Sequence, residues 1–485
     1  MSTLMSRLMR VKKLENITRT LDNSADGGLQ RTLGLKDLVA IGIGAVVGSG
    51  IFVTVGVAAA GEGGSLGAGP AVCLSFVLVA LAAFFCTLCY AEFASMIPAS
   101  GSAYTYAYAT MGELVAWVMA WDICLEYTIG NVAVAIAWGS YFTSLFGSFG
   151  LHLPTWLTTT YAMATPEVLA TAPQLFGIPI SINVPAMFIN VILTVILVKG
   201  VRESASFTNF LVILKLLLIF FVVGLAGFYV DPANWSPFLP NGFQGVAAGA
   251  TLVFFSYVGF DTVACMAEET KNPERNLPLG MIITLAVSTV VYVAVALVLT
   301  GVVPYEKLGC ADPMAFIFSF LNMPWAAVLV CLIALVAMTA VLLVFQLGQT
   351  RIFITMARDG LLPKVFERLH PKFKTPHLST IIVGAVITIG AGFLDISWVL
   401  QLCNVGTLFT MIVVALGIMI LRRTRPEVKR PFRTPCVPLI PLLCIAMCGW
   451  LVYIMGWTIW VSFLIWQFVG IVFYFFYGYT HSVQE

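Results

Sequence analysis

The sequence predicts an all-α, polytopic membrane protein with about twelve transmembrane helices, and three observations carry that expectation. Of 485 residues, 60% are hydrophobic and only 10% charged, with a mean hydropathy of +0.97. The apolar residues fall in runs near the roughly 20 residues a helix needs to cross a bilayer. Polar or Pro/Gly punctuation separates the runs, and none shows the strict alternation of barrel strands. With the N-terminus placed inside, Lys and Arg collect on one side: seven before the first span, two after the fourth, two after the sixth, six after the eighth and six after the tenth, 23 of the 25. That asymmetry marks cytoplasmic loops and fits an even number of spans.

The expected spans are 38–60, 67–97, 112–145, 183–200, 204–229, 244–268, 277–302, 325–357, 378–394, 397–422, 436–456 and 458–479. Residues 1–36 are polar and basic, lack the apolar centre and cleavage site of a signal peptide, and read as a cytoplasmic arm. Residues 37–430 form the expected core, and 431–485 hold two trailing spans and a short cytoplasmic tail. The basic clusters anchor loops beside anionic lipid. They imply no nucleic acid, and no motif names a protein partner.

Span one contains Gly42-Ile43-Gly44-Ala45-Val46-Val47-Gly48-Ser49-Gly50-Ile51-Phe52. Its four glycines each give up about 1 kcal/mol relative to alanine in a helix interior and bare the backbone. Bare backbone at membrane depth is tolerated only where it lines a cavity or meets a ligand. Val46-Val47 would close one half-helix and Ser49-Gly50-Ile51 would open the next. The free carbonyls then suit an ammonium and the free N–H groups a carboxylate, so the break suits a zwitterion. The alternative reading is a close-packing glycine face.

Span two ends in Tyr90-Ala91-Glu92, and the loop after it, 96–104, has turn residues and no basic charge. Cys86-Thr87-Leu88-Cys89 has the spacing of a redox pair but lies in an apolar run, which favours packing. Glu126 lies near the middle of span three, with Asp122 one turn earlier on a similar face; Glu92 and Glu113, nearer span ends, read as interfacial. Residues 147–182 form the longest outside connection. Lys215 lies deep in span five, too far from either end to snorkel, and needs carbonyls or a carboxylate such as Asp261 as partner.

Span six repeats the theme of span one, because Phe254-Phe255-Ser256-Tyr257-Val258-Gly259-Phe260-Asp261-Thr262 again sets small and polar residues in an apolar segment. If spans one to five and six to ten are repeats of five, the second copy enters the membrane from the other side, and the two breaks face each other at the midplane. Gly259 as a packing residue and Asp261 as a crevice acid are the alternatives. The loop 303–324 carries Lys307 and Cys310. The four histidines are scattered over loops and tail, so no zinc site and no nucleophile with its base emerges.

The first-span run resembles the first-helix motif of the amino acid-polyamine-organocation transporters. Four further stretches resemble their cationic amino acid transporter branch, bacterial members included: Cys89-Tyr90-Ala91-Glu92-Phe93; Gly101-Ser102-Ala103-Tyr104-Thr105-Tyr106; Gly259-Phe260-Asp261 with Glu268-Glu269-Thr270-Lys271-Asn272-Pro273; and Arg422-Arg423-Thr424-Arg425-Pro426 with Arg430-Pro431-Phe432-Arg433. The resemblance runs from about Thr32 to the C-terminus in motif order.

It implies a leucine-transporter-type fold of 5+5 inverted repeats with discontinuous helices 1 and 6, two trailing helices and alternating access. By the same resemblance Val46, Gly48, Ser49 and Gly50 hold the amino acid's carboxylate and ammonium. Phe255, Ser256 and Val258 line the second break, with the aromatic ring as a lid. Lys215 stands where sodium-dependent relatives bind their ion, so a proton is the expected coupling ion, with no sodium and no other cofactor. Glu126 and Asp261 match acidic positions of the branch, the first at the substrate and the second in proton coupling. Phe345 in span eight is bulky where a long cationic side chain would need room, which tilts the expectation to small or medium neutral L-amino acids. The expected activity is proton-coupled symport into the cell across the plasma membrane. A proton-independent exchanger and a sensor with little transport are the alternatives. Nothing resembles a channel's repeated filter or ring of charges, and no catalytic constellation is visible.

Overall fold

The computed structural model describes Val11 and residues 33–61, 66–97, 102–200, 205–373 and 375–482. Most of the expected arm 1–36 and the turn 98–101 lie outside the described residues. The helices are α1 (Leu35–Val46), α2 (Ser49–Ala60), α3 (Val72–Met96), α4 (Ser102–Thr110), α5 (Glu113–Ser148), α6 (Pro166–Thr171), α7 (Val184–Lys199), α8 (Ala205–Ala226) and α9 (Gly242–Val253). There follow α10 (Thr262–Cys265), α11 (Pro273–Val302), α12 (Pro313–Phe320), α13 (Pro324–Arg358), α14 (His377–Phe393), α15 (Ile396–Thr424), α16 (Leu439–Ile454), α17 (Trp457–Phe473) and α18 (Tyr479–His481).

Eight helical stretches among the described residues are long and apolar enough to cross a membrane, and α1 with α2, bent by 46° at their junction, makes a ninth. Three shorter apolar helices, α7, α14 and α16, have 16, 17 and 16 residues. Exposed Phe220, Val290, Phe468 and Phe476 stud the outer surface, as lipid-facing side chains do. The molecule is a polytopic helical membrane protein.

Two helix groups surround the first break. Helix α11 packs along α1 and α3, and α9 against α2 and α3; α5 packs along α13, and α7 along α14. Helices α8 and α15 bridge the groups, α8 touching α1, α11 and α13, and α15 touching α3, α5 and α9. Helix α16 leans on α15, while α17 is stapled to α5. Trp121 Nε1 donates to the Trp466 carbonyl at 2.9 Å, Trp466 Nε1 donates back to the Trp121 carbonyl at 3.3 Å, and the two rings stack at 4.6 Å.

The connection 147–182 contains α6 and a two-residue hairpin pairing β1 (Gln174–Leu175) with β2 (Ile178–Pro179). Two expectations change. Glu92 is fully buried rather than interfacial. Its carboxylate accepts from Arg422 Nε at 3.0 Å and Nη2 at 2.7 Å and from the Thr434 N–H at 2.8 Å, with Arg430 Nε 3.3 Å away. The last turn of α15 supplies Arg422, and the loop after it folds back to deliver Arg430 and Thr434, which no spacing near Glu92 reveals. Glu113 is buried too, accepting from the Tyr474 hydroxyl of the trailing region at 2.9 Å.

Candidate functional site

The first break is built by the backbone. Helix α1 stops at Val46. Val47 takes φ −76°, ψ 71°, an inverse γ-turn in which the Gly48 N–H donates to the Val46 carbonyl at 2.8 Å. Helix α2 restarts at Ser49 with no side chain capping it, which leaves its first N–H groups and the positive end of its dipole for a ligand or water. In the second break α9 ends at Val253, a 3-10 turn covers Phe254–Tyr257, and Gly259 adopts φ +100°, a conformation that favours glycine.

The two breaks touch. A Cβ on Gly50 would run into the Ser256 backbone, with its nitrogen 2.9 Å away, so glycine is what permits the approach. Thr54 Oγ1 and Ser256 Oγ hydrogen-bond at 2.9 Å. The buried Tyr292 hydroxyl of α11 lies 2.7 Å from the carbonyl oxygens of both Val46 and Ser256. It has one proton for the two, so one carbonyl is left with an oxygen neighbour in place of a donor. Asn404 of α15 donates its amide to the Thr251 carbonyl at 2.7 Å and to that of Leu252 at 3.4 Å, satisfying carbonyls at the end of α9.

Around this junction sit the residues expected from the sequence. Val46, Gly48, Gly50, Phe255, Ser256 and Val258 are all buried at the two breaks. The backbone of Ser49 opens α2; its side chain lies outside the described residues. Lys215, 5% exposed, donates from Nζ to the Gly44 carbonyl at 3.4 Å, and no carboxylate lies within ion-pair distance of it among the described residues. Its partner is therefore the carbonyl end of α1 rather than Asp261. Glu126 lies on α5 with the Thr407 hydroxyl at its carboxylate and the Cys403 thiol donating to its backbone carbonyl at 3.6 Å. Asp261, just past the second break, is an electrostatic neighbour of Glu126 and Tyr90.

Phe345 of α13 meets the Tyr127 ring edge-on at 5.5 Å and comes within contact of Gly130 together with Phe255 and Cys403. Asp122 turns away from this group. The Thr410 hydroxyl donates to it at 3.0 Å and the Gln467 amide at 3.4 Å, in the seam between α5, α15 and α17.

Tyr292, Asn404, Thr54, Gly130 and Cys403 belong to the site and were not singled out from the sequence. Two had a signal. Thr284, Ser288 and Tyr292 recur at helical spacing as a polar stripe in an apolar span, and Asn404 is an amide in the middle of another, one turn after Gln401. For Gly130, Cys403 and Thr54 only the packing makes them visible.

The family model for amino acid permeases matches residues 33–485. The chain is 43% identical over 481 residues to the methylthioribose transporter of Bacillus subtilis (strain 168), covering 99% of each chain. It is 40% identical over 476 residues to the branched-chain amino acid permease BcaP of the same organism, 98% of each. It is 35% identical over 429 residues to the vacuolar cationic amino acid transporter 4 of Arabidopsis thaliana, 87% of this chain and 68% of that one. With two broken helices meeting at a buried junction and a family match over nearly the whole chain, this protein belongs to the amino acid permease family and is a membrane transporter, not an enzyme.

Proposed function

We propose that this permease is a secondary active transporter that carries L-amino acids into the cell by proton-coupled symport, working by alternating access. The observation that carries the reading is the junction of the breaks. The uncapped N-terminus of α2 offers N–H groups to a carboxylate, and the second break, pressed against Gly50, offers carbonyls to an ammonium within reach. Residues 37–430 make the transport core, an inverted repeat of five helices and five. The nine longer spans and the short apolar helices α7, α14 and α16 together make twelve crossings of the plasma membrane, both termini cytoplasmic. The 17 residues of α14 lie at the lower end of the spanning range of about 17–25, and the 16 of α7 and of α16 fall one residue short of it.

Val46, Gly48, Ser49, Gly50, Ser256 and Val258 hold the substrate's backbone ends, Glu126 lies beside it and Phe255 closes over it. Lys215 supplies the charge that a metal ion supplies elsewhere, so no sodium is needed. Its loss of a proton would release the Gly44 carbonyl and free α1 to move, with Asp261 on the far side of the break in the same proton path. The apolar, aromatic surround of Phe345, Phe255 and Tyr127 favours neutral substrates of small or medium size, a preference in keeping with a relative named for branched-chain amino acids.

The test is uptake of radiolabelled L-amino acids into proteoliposomes, with and without an inward proton gradient and with sodium absent. Accumulation that collapses with a protonophore is the expected result. The carbonyl bond of Lys215 favours one second reading, an exchanger in which the ammonium is a fixed charge. Counterflow indifferent to the proton gradient would select it.

A further inference from the structure

We propose that the connection between α15 and α16, residues 425–438 with the last turn of α15, is a binding site for the headgroup of an anionic phospholipid, held by Arg423, Lys429 and Arg433. The loop is built from inside by one cation. The Arg430 side chain, 6% exposed, donates from Nη1 to the Pro426 and Val428 carbonyls at 3.1 and 2.7 Å, and from Nη2 to the Leu421 and Arg425 carbonyls at 3.3 and 2.8 Å. Its guanidinium thereby winds the loop around itself and closes the carbonyl end of α15. The rest of the loop is tied to α3. The Phe432 N–H donates to Ser95 Oγ at 3.3 Å, the Thr434 hydroxyl to the Leu88 carbonyl at 2.8 Å and the Thr434 N–H to Glu92.

This framework sorts the charges. Of the six cations from Arg422 to Arg433, Arg422 and Arg430 turn inward to Glu92. Arg423, Lys429 and Arg433 are exposed, and among the described residues none of the three has an ion-pair partner. Glu427 is the only acid in residues 422–438, so the surface keeps a surplus of positive charge. What that surplus faces follows from the helices on either side. Arg423 stands in the last turn of α15, and α16 begins at Leu439 with Leu439, Leu442 and Leu443 exposed as lipid-facing side chains are. A connection joining two membrane helices stays at headgroup level, where the phosphate of a lipid is the anion at hand and guanidinium groups suit it.

The cationic stretch 351–374 is arranged differently, with Arg358 paired to Glu367 at 3.5 Å and Arg351 engaged as well. A loop already fixed by Arg430 and α3 loses little further freedom when a headgroup binds, which favours it over that stretch.

The test follows the melting temperature of the purified protein in a neutral detergent during titration with phosphatidylglycerol or phosphatidylcholine. No substrate enters it, so its outcome is independent of the transport reading. Phosphatidylglycerol is expected to raise the melting temperature at lower concentration than phosphatidylcholine. Lys429→Gln should raise the phosphatidylglycerol concentration for half-maximal shift roughly 5-fold, which corresponds to the attraction of one cation near an anionic surface. The triple variant Arg423→Gln, Lys429→Gln and Arg433→Gln should lose the difference between the two lipids. Lys364→Gln with Lys372→Gln, in the other stretch, should keep it. Melting without added lipid reports that each variant is folded. A wild type indifferent to lipid charge overturns the proposal, as does a preference that survives the triple variant or disappears in the control pair. Inorganic phosphate that reproduces the shift at the same concentration would assign the site to a soluble anion and overturn the lipid as its occupant.

Discussion

Gly48 and Gly50 look alike in the sequence, two residues apart in one motif, yet their surroundings differ. A side chain at Gly50 has the Ser256 backbone in its way, whereas at Gly48 the nearest atoms stand at ordinary contact distance. Gly50→Ala should therefore cost stability, by about 1–3 kcal/mol for an overpacked site, together with substrate binding. Gly48→Ala should keep the wild-type melting temperature in detergent and lose affinity alone. Matching melting temperatures for the two variants would show that the contact with Ser256 is not the constraint. Lys215→Ala makes the complementary test of charge. It should abolish accumulation driven by a proton gradient while leaving counterflow measurable. Accumulation that responds to pH as in the wild type would remove Lys215 from the coupling step.

Among elements, the loop after α15 and the short helix α12 are held by single carboxylates. Glu92 gathers Arg422, Arg430 and the Thr434 N–H at the end of α3, so one acid ties the core to the segment leading into the trailing helices. Glu92→Gln leaves buried guanidinium donors poorly compensated, and breaking a buried pair of this kind costs about 3–5 kcal/mol. A thermal melt unchanged from wild type would make the cluster dispensable.

Asp312 at the start of α12 accepts from the Ser144 hydroxyl at the end of α5. Burial pushes the Asp312 carboxyl above its ordinary value, with the hydroxyl bond opposing. A raised carboxyl value means that the folded state holds the proton more tightly. Its contribution is then fullest below the ordinary carboxylate range near 4 and fades as pH rises through the raised value. Thermal stability followed upward from about pH 4 should fall less steeply with rising pH in Asp312→Asn than in wild type; equal slopes would assign the dependence to other groups.

For the whole molecule, most of the architecture was written in hydropathy and charge. Every expected span has an apolar helix counterpart, because length and apolarity are local properties that neighbours do not alter. The break in the first span fell between Val46 and Ser49 because glycine density is local as well. The burial of Glu92 and Glu113 was not legible. Their partners lie more than 300 residues away in sequence, at Arg422, Arg430 and Tyr474, and a carboxylate near a span end looks the same whether it meets water or a distant cation. Asp122 and Glu126 share a face by spacing, yet one joins the seam with α17 and the other lies beside Cys403 and Thr407 of α15, a division decided by which helices pack beside α5.

The sequence by itself determined the class of molecule, the positions of the apolar segments and the positions where helices break, because each follows from the free energy of single side chains or short runs of backbone in lipid. Only the tertiary structure decided that the breaks press together through Gly50, that Tyr292 reaches Val46 and Ser256 at once, that Lys215 turns to the Gly44 carbonyl, and that three helical regions close on Gly130. Those are contacts between segments remote in the chain. Their strength depends on distances of a few tenths of an ångström, which packing sets and composition does not.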